Sequence, residues 1–118
     1  MFAETLRDMA ARLEDVDGIL LMGMDGLPIE KVVMNETLNI ELLIAEFTTI
    51  LRNTFQTAKE VEAGNLEEVL VLSDHMLLLM KAITPEYFIM MILPPGGNLG
   101  KARFELKKAK YVLEKEFI

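Results

Sequence analysis

The residue types most able to do chemistry sit at four places in this sequence. The first is Gly96-Gly97-Asn98-Leu99-Gly100-Lys101, which has the glycines and lysine of a phosphate-cradling loop. Such a loop needs a glycine where this chain has Pro95, and a Ser or Thr where it has Ala102. The dinucleotide-binding glycine pattern fails as well, and no parallel βαβ unit surrounds the segment. The second place is Asp74-His75, around the one histidine in the chain. An Asp–His pair does acid–base work only when it faces a cleft, and adjacent strand residues point to opposite faces. His75 therefore reads as a turn histidine. The third and fourth places are Glu67-Glu68 and Glu60 with Glu62. Neither spacing puts two carboxylates on one face of a strand or a helix, so neither makes a glycosidase-type pair or a metal cluster.

The composition narrows the chemistry further. There are no cysteines, which excludes a thiol nucleophile, a Cys-ligated metal and a disulfide framework. With one histidine, histidine-rich metal sites are nearly excluded too. The residues read as a protein without its own active site, cofactor or metal.

The chain has 118 residues and reads as one domain over 1–118. A net charge of −7 repels a phosphate backbone, and the absence of tryptophan argues against a base-stacking platform, so no nucleic-acid partner is expected. No apolar run approaches the length of a membrane span. The start, Met1-Phe2-Ala3-Glu4, is not a signal peptide, Asn35-Glu36-Thr37 reads as a chance sequon, and a cytoplasmic location is expected. The hydrophobic fraction of 52% with nine methionines is high beside that acidity, and points to a large core or a face covered by a partner. Met76, Met80, Met90 and Met91 read as core fillers.

Several elements are needed to position these residues. Phe2, Leu6, Met9 and Leu13 repeat at helical spacing, and Asp17-Gly18 is expected to end that helix through a left-handed Gly18. Ile19–Met24 and Leu27–Val33 read as strands around an Asp25-Gly26 turn, with Pro28 confining the second to a sheet edge. Ile40, Leu43, Ile44, Phe47, Ile50, Leu51, Phe55, Ala58 and Val61 mark a long helix, capped by Thr37 or Asn39 and closed by Gly64-Asn65. Leu66–Leu72, His75–Lys81 and Tyr87–Leu93 read as a three-stranded meander. Strands apolar on both faces must be covered on both faces. The expected fold is α+β, in three layers and in the order α-β-β-α-β-β-β-α.

Asn98 is expected to cap a last helix whose apolar face is Leu99, Ala102, Leu106, Ala109, Leu113 and Phe117. Residues 98–118 hold six basic and three acidic residues, about +3, and leave −10 for the rest of the chain. This helix reads either as a solvated face matched to the helix dipole or as a patch for an acidic partner or anionic lipid.

Three segments carry a resemblance. Val16–Leu21 followed by Met24-Asp25-Gly26-Leu27-Pro28-Ile29 resembles the opening hairpin of the roadblock/dynein light chain family. Gly64–Val71 resembles that family's exit from its long helix, and Asn98-Leu99-Gly100-Lys101-Ala102-Arg103 resembles the start of its last helix. The resemblance implies a five-stranded antiparallel sheet with helices on both faces. It also implies a homodimer, joined through the long helix and the strand after it into a ten-stranded sheet. On that basis Leu42, Ala45, Thr49 and Arg52, with Val69 and Val71, are the expected self-association residues, and charge reversal at Arg52 is expected to weaken the dimer. Asp25, Gly26, Gly64, Asn98 and Gly100 are the expected turn and cap residues.

The MglB-like prokaryotic branch of the family partners Ras-like small GTPases and implies a regulator, with GTPase activation among its roles. The alternatives are a non-catalytic scaffold or light-chain subunit, and a small-ligand sensor.

Overall fold

A computed structural model describes residues 2–117. The elements run α1 (Phe2–Leu13), β1 (Gly18–Gly23), β2 (Pro28–Val33), α2 (Ile40–Glu60), β3 (Glu68–Ser73), β4 (Met76–Thr84), β5 (Tyr87–Leu93) and α3 (Leu99–Leu113), with a 3₁₀ turn at Glu114–Phe117. The strands form one antiparallel sheet in the order β2-β1-β5-β4-β3. The element order and the five-stranded sheet match the expectation.

Period-two alternation divides the strand side chains between two cores. Ile19, Leu21, Leu79, Ile89, Met91 and Leu93 face α1 and α3. Leu20, Met22, Leu78, Met80, Phe88, Met90 and Ile92 face α2. The three central strands are buried on both faces, which is why their sequences do not alternate apolar with polar. Met80, Met90 and Met91 are core residues, and Met76 is half-buried.

At the β1–β2 turn Gly26 adopts φ +90°, and the Asp25 carboxylate accepts from the Leu27 N–H at 3.0 Å. Pro28 opposes Met22 where the register shifts, at the start of an edge strand. An imino acid belongs there because it gives no donor to the ladder.

Four expected boundaries move. Helix α1 ends at Leu13 and the left-handed residue is Glu14, at φ 65°, not Gly18. Gly18 opens β1, opposite Val33 and Ile92. The reason lies in Asp17, whose N–H donates to the Ile92 carbonyl at 2.8 Å and whose carbonyl accepts from Met34 and Asn35. The sheet has already claimed that backbone. Likewise Gly64 does not cap α2. The helix closes at Val61, Glu62 turns left-handed at φ 60°, and the Ala63 N–H donates to the Ala58 carbonyl at 2.8 Å. Gly64, at φ +90°, shapes the loop that follows. Strand β3 begins at Glu68, and β4 runs on to Thr84.

Candidate interaction surface

The segments that could have done chemistry do structural work. Gly96 is left-handed, and at Gly97 a Cβ would come within 3.1 Å of Leu93 and the Pro94 carbonyl. Asn98 caps α3, its side chain accepting from the Lys101 N–H at 3.0 Å. That bond occupies an amide an anion would need. Gly100 lies in the first turn of α3, where a Cβ would meet nothing closer than 3.7 Å. His75 and Asp74 sit exposed in the β3–β4 turn. Glu60 accepts from Gln56, and Glu68 pairs with Arg103. Among the described residues there is no group of three His, Asp or Glu placed to hold a metal ion, and no helix is long and apolar enough to cross a membrane.

The distinctive feature is how little α2 buries. Of its 21 residues, Thr48 and Leu51 alone are buried. Ile40, Leu43, Ile44 and Phe47 lean on the α2-side core but stay partly open, and Ile50 is 43% exposed. A helix owes most of its stability to packing of an apolar face, and this one leaves much of its apolar area uncovered. Asn39, not Thr37, caps it, accepting from the Leu42 N–H at 3.2 Å. The Thr48 hydroxyl is buried without a hydrogen-bond partner. An orphaned buried hydroxyl costs about 1–3 kcal/mol, so Thr48→Val is expected to raise stability by about 1 kcal/mol, read as a higher urea midpoint with an unchanged slope.

Beside α2 runs the free edge of β3, which pairs with β4 alone. Val69 and Val71 point into the α2-side core. Leu70 and Leu72, opposite Leu79 and Leu77, point to the α3 side, and Leu72 is 69% exposed. A bare apolar edge is an association hazard unless something covers it.

Helix geometry sorts the expected self-association residues into two sets. With about 100° per residue, Arg52 lies on one flank of α2 and Leu43, Phe47 and Ile50 on the other. Arg52 donates to the Met24 carbonyl at 3.1 Å, so its flank looks toward the β1–β2 turn. Leu42, Leu43 and Phe47 share a shallow recess with Met76, at the β3–β4 turn. Val69 and Val71 thus neighbour the Leu43–Ile50 flank. Leu42, Ala45 and Thr49 are exposed along the outer side of α2, and Arg52 is turned away from β3. The spacing alone could have separated these stripes; which one borders β3 depends on where the sheet lies.

On the opposite face, α3 is fastened at two points. Arg103 forks onto the Glu68 carboxylate at 2.9–3.2 Å. Glu105, only 3% exposed, accepts from Arg12 of α1 at 2.6 Å and from Lys108 at 3.4 Å. Burial pushes the Glu105 carboxyl up, but Arg12 and then Lys108 outweigh it and hold it below the usual carboxylate range.

No family model matches the chain, and no curated protein matches it. Solved structures do. MglB of Myxococcus xanthus superposes with a TM-score of 0.87 at 16% identity, over 98% of this chain and 93% of that one. A Roadblock/LC7 domain from Streptomyces avermitilis gives 0.85 at 11% identity, over 98% and 96%. MglC of Myxococcus xanthus gives 0.69 at 26% identity, over 98% of each chain. The resemblance read from three short segments holds in three dimensions: the chain has the fold of MglB and of the roadblock/LC7 domains.

Proposed function

We propose that two copies of this chain associate through the β3 edge and the adjoining flank of α2, and that the paired α2 helices bind and regulate a Ras-like small GTPase. The observation that carries the first half is α2 itself, a long apolar helix with two buried residues, next to an unpaired strand edge. Antiparallel β3–β3 pairing would satisfy the open backbone groups of that edge and extend the sheet to ten strands. A two-fold operation uses the same patch twice, which suits a single short chain. The second half is supported by the resemblance to a family whose prokaryotic members partner small GTPases, and by the fold shared with MglB. The exposed stripe of Leu42, Ala45 and Thr49 would then face that GTPase. The domain acts as a regulator without an active site of its own, in the cytoplasm.

Sedimentation mass tests both halves. The wild type is expected to run as a dimer, Ile50→Glu as a monomer, and Arg52→Glu as a dimer. If Arg52→Glu alone halves the mass, the contact lies on the other flank. A wild-type monomer sinks the self-association altogether. Mixed with Ras-like GTPases of the same genome, the dimer is expected to bind one of them in its GTP form, and Thr49→Glu to abolish that binding without changing the dimer. A dimer indifferent to every GTPase leaves a scaffold subunit as the function.

A further inference from the structure

We infer that the outer face of α3 is a docking surface for an anionic membrane. The inward side of this helix is apolar and buried, as an amphipathic helix requires. Its outward side is not the polar face that should follow. Phe104 and Tyr111 are 59% and 65% exposed, with Val112 beside them. Lys107 and Lys108 line the same shallow groove as these three side chains. Lysine ammonium groups lie over the rings, Lys108 at 5.1 Å from Phe104 and Lys115 at 4.3 Å from Tyr111.

Charge and chemistry choose the occupant. The acidic residue within α3, Glu105, is turned inward and neutralised by Arg12 and Lys108, and Glu114 and Glu116 lie past the last turn of α3. The outer face therefore gathers its cations around the two rings, with Lys108 also paired to Glu105 and Lys107 bordering Glu67 and Glu68 at one margin, on a chain that is −7 overall. The arginines nearest to it, Arg12 and Arg103, are spent on Glu105 and Glu68. Arginine is the side chain that grips a protein carboxylate with two parallel bonds, whereas lysine acts as a point charge on a flexible stem. Lysines interleaved with aromatic rings on one exposed helix face suit a sheet of phosphate headgroups over acyl chains. The rings enter the headgroup boundary and the ammonium groups stay at its surface.

Docking through α3 would set the orientation, with α1 and its exposed Glu4 and Asp8 at the margin of the same face and α2 on the far side of the sheet, away from the lipid. One protomer suffices for this docking. Where two copies pair in the plane of one sheet, both α3 helices fall on the same side and the docking gains avidity.

Co-sedimentation of the full chain with vesicles tests this. The probes are neutral phosphatidylcholine, and phosphatidylcholine with about a third phosphatidylserine, at low and at high salt. Binding is expected to the anionic vesicles alone and to fall at least tenfold at high salt. The Lys107→Glu/Lys108→Glu variant is expected to lose it, and Phe104→Ser to weaken it severalfold. Circular dichroism establishes that each variant is folded, and if the double reversal is not, Lys107→Gln reports the charge dependence instead. No binding by the wild type overturns the inference. So does equal binding to neutral vesicles, or full binding by the folded charge variants. Capture of an acidic protein with no vesicle binding assigns the face to that other class of partner.

Discussion

Truncating Phe88 to alanine is expected to cost about 4 kcal/mol, in the range of about 3–5 kcal/mol for emptying a buried aromatic site. Phe88 is fully buried in β5, opposite Met22 of β1 and Ala82 of β4. Its ring faces α2 and belongs to the core that holds that helix to the sheet. Neighbouring strands are fixed by their ladders and cannot close in, so most of the cavity should persist. A domain of this kind has about 5–15 kcal/mol of stability in total, so the variant should still fold but with a much lower urea midpoint. The loss should also be uneven. Leu51 and Thr48 are the buried residues of α2, so the helix has little else to hold it. Its amides should exchange with solvent well before those of β1 and β5. A midpoint shift worth less than about 1 kcal/mol, or uniform loss of protection, would show that α2 is held by something other than this core.

The second large effect is electrostatic. Arg12→Ala should destabilise the protein by about 2–3 kcal/mol at neutral pH, short of the range of about 3–5 for a fully buried pair. The discount follows from geometry, since the Arg12 side chain is half-exposed and Lys108 remains beside Glu105. The pH dependence carries the sharper test. In the wild type the Glu105 carboxyl is held below its unfolded value. Its contribution is therefore complete above the unfolded pKa of about 4.3, and is lost as pH falls through the depressed folded value. Without Arg12 the upward push of burial is opposed by Lys108 alone. If burial then prevails, the folded pKa lies above the unfolded one, and protonation relieves the strain instead of adding to it. The penalty of Arg12→Ala should thus shrink as pH drops below about 4. Urea titrations at pH 7 and pH 3.5 read this directly. A penalty that is constant with pH would mean that Arg12 acts by packing its stem and not by its charge.

What could be read from the residues, and what could not, divides along a physical line. Asn98, Asp25 and Gly26 were legible because a cap and a tight turn are decided within four residues of chain. The apolar face of α3 was legible because 3.6-residue periodicity is local. Gly18 and Gly64 misled because glycine permits a left-handed turn but does not require one. At both helix ends a glutamate took that conformation, Glu14 and Glu62: after the first, Asp17 was already bonded into the sheet, and at the second, local bonds from Glu62 and Ala63 closed the helix before Gly64. The α2 stripes were legible as stripes, yet nothing within the helix says which flank borders β3. That is set by β5 inserting between β1 and β4, a pairing between residues far apart in sequence. On α3, counting lysines gave the charge of the helix, whereas that no other element covers the rings of Phe104 and Tyr111 between them depends on the packing of the whole domain.

The strand order also sets how the chain comes together. β1 with β2, and β3 with β4 and β5, are local pairs joined by short turns. A single long-range seam joins them, in which Tyr87 meets Gly23, 64 positions earlier. The hairpin and the meander can each form early, but neither can bury both faces alone. The slow event is the closure of that long loop, with α2 inside it. At the far end, Phe117 stacks on Phe2 at 5.2 Å and on Tyr87 at 3.9 Å, bringing the two ends of the described chain together. Joining those ends and opening the chain at the exposed Gly64 loop would carry the β5–β1 connection through α3 and α1 instead of α2. Its shortest span would then be 44 positions, from Ile92 to Gly18, against 64 in the natural order, so the seam should form only slightly faster.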